Sequence, residues 1–183
     1  YGVAEGNHDL RAWDAATGDL RWAAGGHVGG AVAVAVSGDG ATVVTGGADG
    51  LVRVFAADGT LRRALGDPKD GRPVTAVAVS PDGRFAAAGR RDPDGNADGR
   101  LWRVADAHPV RPVPFRAAAP RAALAFSPDG RSLLTGGAPT PSGRRAVVTE
   151  VAAGEYRWRA PKGGSAAAAF GPDGRTLAVV LDA

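Results

Sequence analysis

The residues best suited to chemistry in this chain are few. His27 precedes an apolar run, and Asp49 stands twenty-two residues on; together they form the one His–carboxylate pair that could act as a general base. No nucleophile elbow, phosphate-binding glycine loop or zinc-binding helix motif accompanies them. The pair therefore reads as structural. A second constellation, Asp94-Gly95-Asn96-Ala97-Asp98-Gly99, puts side-chain oxygens at alternate positions before a glycine, as in the front half of a calcium loop. The position expected to carry a bidentate Glu holds Ala105, with Asp106 one residue off, so the back half is missing. The reading here is a polar hairpin loop with no metal.

Composition narrows the classes further. The chain has 183 residues, enough for one sizeable core, and 44% are hydrophobic but only 6% aromatic. With no Cys, disulfides and thiolate metal sites are excluded. The net charge is +3, and the arginines are scattered through the sequence instead of gathered on one segment, which argues against a nucleic-acid surface. No apolar run is long enough for a membrane-spanning helix. The chain opens on Tyr1 and contains no Met, so it reads as an internal piece of a longer protein. The Ala-, Arg- and Gly-heavy composition suggests a bacterial origin.

The elements that must position these residues are set by a repeated phrase. Ser80-Pro81-Asp82-Gly83-Arg84 recurs unchanged at Ser127–Arg131, as Gly171-Pro172-Asp173-Gly174-Arg175, and more loosely as Ser37-Gly38-Asp39-Gly40-Ala41. The Asp-Gly steps fall at 39, 82, 129 and 173, at intervals of 43, 47 and 44 residues. Pro pre-sets φ, Asp bonds its own downstream backbone and Gly takes φ > 0, so each phrase is a turn. Apolar runs flank every turn, which makes each a hairpin tip joining two strands.

Around these tips the chain reads as cycles of four strands: 31–36, 42–46, 51–55 and 60–65; then 74–79, 84–89, 100–105 and 110–116; then 121–126, 131–136, 144–151 and 155–160. Three strands precede them, the first over Tyr1–Gly6, and a hairpin of 166–170 and 175–181 follows. First strands are nearly continuous in apolar residues, as if covered on both faces. Fourth strands carry Arg21, Arg62, Arg63, Arg111, Arg116, Arg157 and Arg159, the usual protection of an exposed edge. The expected units are 1–30, 31–73, 74–120, 121–165 and 166–183.

With four-stranded cycles of this period, Gly26-His27 and Trp13-Asp14, the chain resembles the WD40-repeat β-propellers. The resemblance implies an all-β, WD40-like propeller, here partial and cut within a blade at both ends. It also implies a buried hydrogen-bonded set of His27, Thr45 and Asp49, with Phe55 where the family has Trp. Phe has no indole N–H, so that link is expected to be lost. The implied function is a non-catalytic protein-interaction scaffold or sensor without cofactor. The alternative is a fragment of a propeller hydrolase or oxidoreductase whose active site lies in blades outside this sequence. The links 66–73 and 89–99 are expected to share one rim, with Lys69, Arg72, Arg90, Arg91 and Asp92 as a partner-binding surface.

Because the calcium loop lacks its closing carboxylate, calorimetric titration with Ca²⁺ up to about millimolar concentration is expected to give no binding heat. A saturable heat would overturn the hairpin-loop reading.

Overall fold

The computed structural model describes residues 10–91, 94, 97–113, 123–136, 146–159 and 164–182. Every regular element among them is a strand. β1 (Leu10–Trp13) pairs with β2 (Leu20–Ala24). Three complete antiparallel sheets follow. The first is β3 (Ala31–Val36), β4 (Thr42–Gly47), β5 (Val52–Ala56) and β6 (Leu61–Leu65). The second is β7 (Val74–Val79), β8 (Phe85–Arg91), β9 (Ala97–Arg103) and β10 (His108–Val113). The third is β11 (Leu124–Phe126), β12 (Ser132–Thr135), β13 (Val147–Glu150) and β14 (Tyr156–Arg159). β15 (Gly164–Phe170) and β16 (Leu177–Asp182) form a final pair. Each complete sheet keeps its strands in chain order, so each is a meander built from local hairpins. This is the propeller architecture the repeat implies. The strand expected over Tyr1–Gly6 lies outside the described residues.

The hairpin tips explain the repeated phrase atom by atom. Ser37, Ser80 and Ser127 donate their hydroxyls to Asp39, Asp82 and Asp129 at 2.5, 2.6 and 2.5 Å. The same serine oxygens accept the backbone N–H groups of Thr42, Phe85 and Ser132 at 3.0, 2.9 and 2.9 Å. The carboxylates in turn accept the N–H of Ala41, Arg84 and Arg131. These bonds favour the ionised carboxylate, and all three Asp side chains are held below their ordinary pKa; at Asp82 burial opposes the shift and is outweighed. At the fourth tip Gly171 replaces the serine, and Thr176 supplies the hydroxyl instead, donating to Asp173 at 2.9 Å. Neighbouring tips touch: Asp39 N–H reaches the Pro81 carbonyl at 3.3 Å. A side chain at Gly130 would meet Pro81, and one at Gly174 would meet Pro128. All four tips therefore lie in sequence along a single rim.

Packing between sheets follows from strand alternation, since successive side chains point to opposite faces. Val44, Val54 and Leu65 of the first sheet share one core with Val77, Ala86, Ala88 and Trp102 of the second. The intervening Ala87, with Leu101, faces the other way and packs on Leu133 and Val151 of the third. Leu134 and Val148 then meet Phe170, Leu177 and Val179 of the last pair. The second and third sheets are thus sandwiched. The expectation that every first strand is covered on both faces fails at β3, where Val32, Val34 and Val36 are exposed. They face the side on which the preceding sheet has only β1 and β2 among the described residues.

Gly46 sits where two sheets approach most closely. A Cβ there would fall 2.3 Å from Val74 Cγ1 and 2.8 Å from Val77 Cγ1. Gly46→Val should destabilise the protein by about 3 kcal/mol through overpacking. Denaturant unfolding of the variant tests this, and an unchanged midpoint would show that the sheets separate freely at that point.

Candidate functional site

Two polar clusters occupy the rim opposite the hairpin tips, one per sheet, at matching strand positions. In the first sheet Ala31 pairs with Gly47 and Thr45 pairs with Arg53. The absence of a side chain at Gly47 is required, because a Cβ there would lie 2.0 Å from His27 Nδ1. The imidazole fills that space and reaches inward. Its Nε2 meets Thr45 Oγ1 at 2.8 Å and its Nδ1 meets Asp49 Oδ1 at 2.9 Å. In the tautomer with the proton on Nδ1, the ring donates to Asp49 and Nε2 accepts the Thr45 hydroxyl. Asp49 Oδ2 also accepts the Val28 N–H at 3.1 Å.

The sequence-expected set His27, Thr45 and Asp49 is therefore brought together, with His27 and Thr45 buried and Asp49 partly so. The expected loss of the family's tryptophan link is made good by a residue that pattern reading passed over. Arg53 donates to Asp49 Oδ2 at 2.8 Å and lies against His27 Nδ1. Phe55, at 2% exposure, contributes only apolar bulk. The electrostatics follow. Burial opposes ionisation of Asp49, but bonds from His27, Arg53 and the Leu51 and Val28 N–H groups outweigh it and hold the carboxyl at about 2. Burial, aided by the Arg53 charge, pushes His27 below its ordinary value despite Asp49. A neutral imidazole tied at both nitrogens is a strut.

In the second sheet the same positions carry different residues. Val74 pairs with Arg90, and Ala88 with Arg100, so Arg90 takes the place of Gly47 and Arg100 that of Arg53. Asp70, four residues ahead of β7, takes the place of His27, four residues ahead of β3. A guanidinium thus fills the space that the imidazole fills next door. Arg90 donates to Asp70 Oδ2 at 2.5 Å and to Asp98 Oδ2 at 2.6 Å. Its burial is outweighed by these two carboxylates, so it is held more firmly protonated than usual. Asp70 is correspondingly held below the ordinary range, its own burial offset mainly by Arg90. Arg90 Nε and Asp98 Oδ1 are buried without hydrogen-bond partners.

This corrects the expected partner-binding rim. Arg90 has 0% exposure and cannot touch a partner. The link expected over 89–99 is largely strand, because β8 and β9 stay paired out to Arg91 and Ala97. Extending the ladder is what places Asp98 opposite Arg90. Asp98 engages that guanidinium through Oδ2. Lys69 is exposed, while Arg72 and Arg91 are half-buried. Arg72 Nε lies 2.8 Å from Asp70 Oδ1, and Arg100 stands 3.7 Å from Asp70 Oδ2. Asp92 and Asn96 lie outside the described residues. No group of His, Cys, Asp and Glu able to hold a metal occurs among the described residues. No helix long and apolar enough to cross a membrane occurs among the described residues.

His27→Ala should lower the melting temperature by several degrees, since Thr45 and Asp49 lose their shared partner in a buried site. An unchanged melting temperature would remove the strut role. The wild type should also lose stability as pH falls. Below about 6.5 the unfolded His27 takes up a proton that the folded one resists. Between 3.8 and about 2, protonation of Asp49 removes about 2 kcal/mol more. Urea midpoints measured across pH check both steps.

Comparison with known proteins agrees with this architecture. The family described as WD domain, G-beta repeat matches residues 20–55 and 57–101. WD repeat-containing protein 1 of Bos taurus is 36% identical over 105 residues, which is 57% of this chain and 17% of that protein. Among solved structures, the Kuenenia stuttgartiensis Hydrazine Synthase superposes with a TM-score of 0.71 at 21% identity. That likeness spans 94% of this chain and 49% of the other, and at such identity it speaks for fold alone. Sheets that meander in chain order, tips on one rim and a His27–Thr45–Asp49 strut in the matched region accordingly go with the sequence matches: residues 20–101 carry WD40 repeats, within an all-β propeller fold.

Proposed function

We propose that the chain is a non-catalytic interaction module whose partner-facing surface is the charged rim of the second sheet. The observation that carries this reading is the way the buried ions present the exposed ones. Arg90 engages Asp70 and Asp98, and those carboxylates steady Arg72 and Arg100, whose side chains remain 37% and 38% exposed. The turn beside them is fixed too, since Asp67 accepts the Lys69 N–H at 2.9 Å. Preorganised guanidinium groups lose little freedom on binding, and arginine is over-represented where binding energy concentrates. A segment bearing carboxylates is the matching chemistry. The first strands support the non-catalytic part of the reading, because β3, β7, β11 and β15 contain no His, Asp or Glu.

Binding of an array of acidic peptides tests the proposal. The wild-type protein should retain a subset, with affinity falling as salt is raised. Arg72→Ala combined with Arg100→Ala should weaken the retained peptides about tenfold. Undiminished binding by a folded double variant would rule the rim out.

A further inference from the structure

On the tip rim a cavity of about 300 Å³ opens between the second and third sheets. Phe85 and Val151 give it apolar walls, while Asp82, Asp129 and Glu150 bring carboxylates to it and Arg131 one opposing charge. Asp82 and Asp129 spend Oδ1 on the tip serine and on a turn N–H. Oδ2 of each has no hydrogen bond among the described residues. The half-buried Glu150 side chain likewise has no hydrogen bond or ion pair there.

The same place between the first and second sheets is shut. Phe85 and Ser132 both close on their tip serines, so Arg103, which pairs with Phe85, matches Glu150, which pairs with Ser132. Arg103 is tied to Asp106 at 2.5 Å. The tip also presses on its neighbour, since a Cβ on Gly83 would fall 2.7 Å from Thr42 Oγ1. At Gly130 the nearest atoms are Pro81 Cδ at 3.5 Å and Ser80 Cβ at 4.0 Å. Glu150 therefore reverses the charge at the one of these two places that is open.

The interface leading to the cavity carries a second, separate sign. Thr149 stands where the second sheet has Trp102 and pairs with Leu133, which packs toward the second sheet. Thr135, two residues along from Leu133, shares that face. Both hydroxyls point into this interface at 3% and 2% exposure, and neither has a hydrogen-bond partner. Polar capacity is thus unmet at the mouth of the interface and within it.

We propose that this cavity receives the basic side chain of a protein partner, its alkyl stem against Phe85 and Val151 and its charged head among Asp82, Asp129 and Glu150. Three carboxylates against one guanidinium favour a cation. They do not converge closely enough to hold a metal ion. Lys and Arg carry several donors at the end of an apolar stem, so they suit carboxylates spread around an apolar wall. The volume is at the small end for a ligand pocket, as one side chain requires.

Amide NMR of the labelled 183-residue chain, with N-acetyl-arginine amide and N-acetyl-lysine amide as probes, is the test. Saturable shifts at Asp82, Asp129, Gly130 and Glu150 are expected with at least one probe, and none with uncharged N-acetyl-norleucine amide. Glu150→Gln should weaken binding about fivefold, as for one partly exposed ion pair, with the rest of the spectrum unmoved. Glu150→Arg, which restores the charge found at Arg103, should abolish it. No saturable shift, equal shifts with the norleucine probe, or binding indifferent to both variants would each overturn the proposal. Spermidine is the arm for a free polyamine, and binding more than about tenfold tighter than either capped amino acid would overturn the assignment to a partner's side chain. Arg72 and Arg100 lie on the opposite rim, so none of these outcomes bears on the surface proposed for them.

Discussion

Everything here depends on strand alternation in sheets covered on both faces. In a strand whose side chains alternate between two neighbours, no position can be spared for solvent, and the space between sheets sets the size of what fits. The inner strands answer with Ala, Val and Gly. Ala86 and Ala88 belong to one core and Ala87 to the next, so a single three-residue run takes part in two separate interfaces. A larger residue at any of them would push two sheets apart. The rings buried most completely, Phe55 and Trp102, both stand at the third-strand position.

The same constraint governs the polar groups. A sheet dry on both faces cannot leave a hydroxyl, imidazole or guanidinium unpaired without cost. The first and second sheets solve this with unlike chemistry in like positions. A glycine admits a neutral imidazole in the first, whereas an arginine between two carboxylates fills the same space in the second. Buried ion pairs of the second kind add little net stability over an apolar filling, but removing one partner is severe. Such a site is tolerant of nothing except its own set of residues. The third sheet is different again: Thr135, in the Thr45 position, and Thr149, in the aromatic position, keep buried hydroxyls with no partner among the described residues.

Much of this was legible in the residue string. The phrase Ser-Pro-Asp-Gly-Arg announces its turn because Pro, Asp and Gly each act on their own local backbone, and four copies in register fix the hairpins that follow. The strut could be read as well, though only through the family resemblance, which implies the set His27, Thr45 and Asp49. What could not be read was any contact set by geometry across strands. Arg53 stands within the third strand, and only the register places it beside Asp49. Arg90 looked like a loop residue because its partners stand twenty residues back and eight ahead, one of them on a paired strand that pattern reading took for a loop. The signal available was the replacement of Gly47 by arginine at a matching offset, visible only once the strands are aligned by register.

Three cores set back to back, each shared by just two neighbours, give the molecule no common centre. Stability then passes from wedge to wedge, as in a row of stacked tiles, and each tile is held by the pair beside it. Thermal opening begins at whichever sheet has a bare flank and advances inward, so the second sheet, flanked on both sides and pinned by its internal ions, is the last to give way.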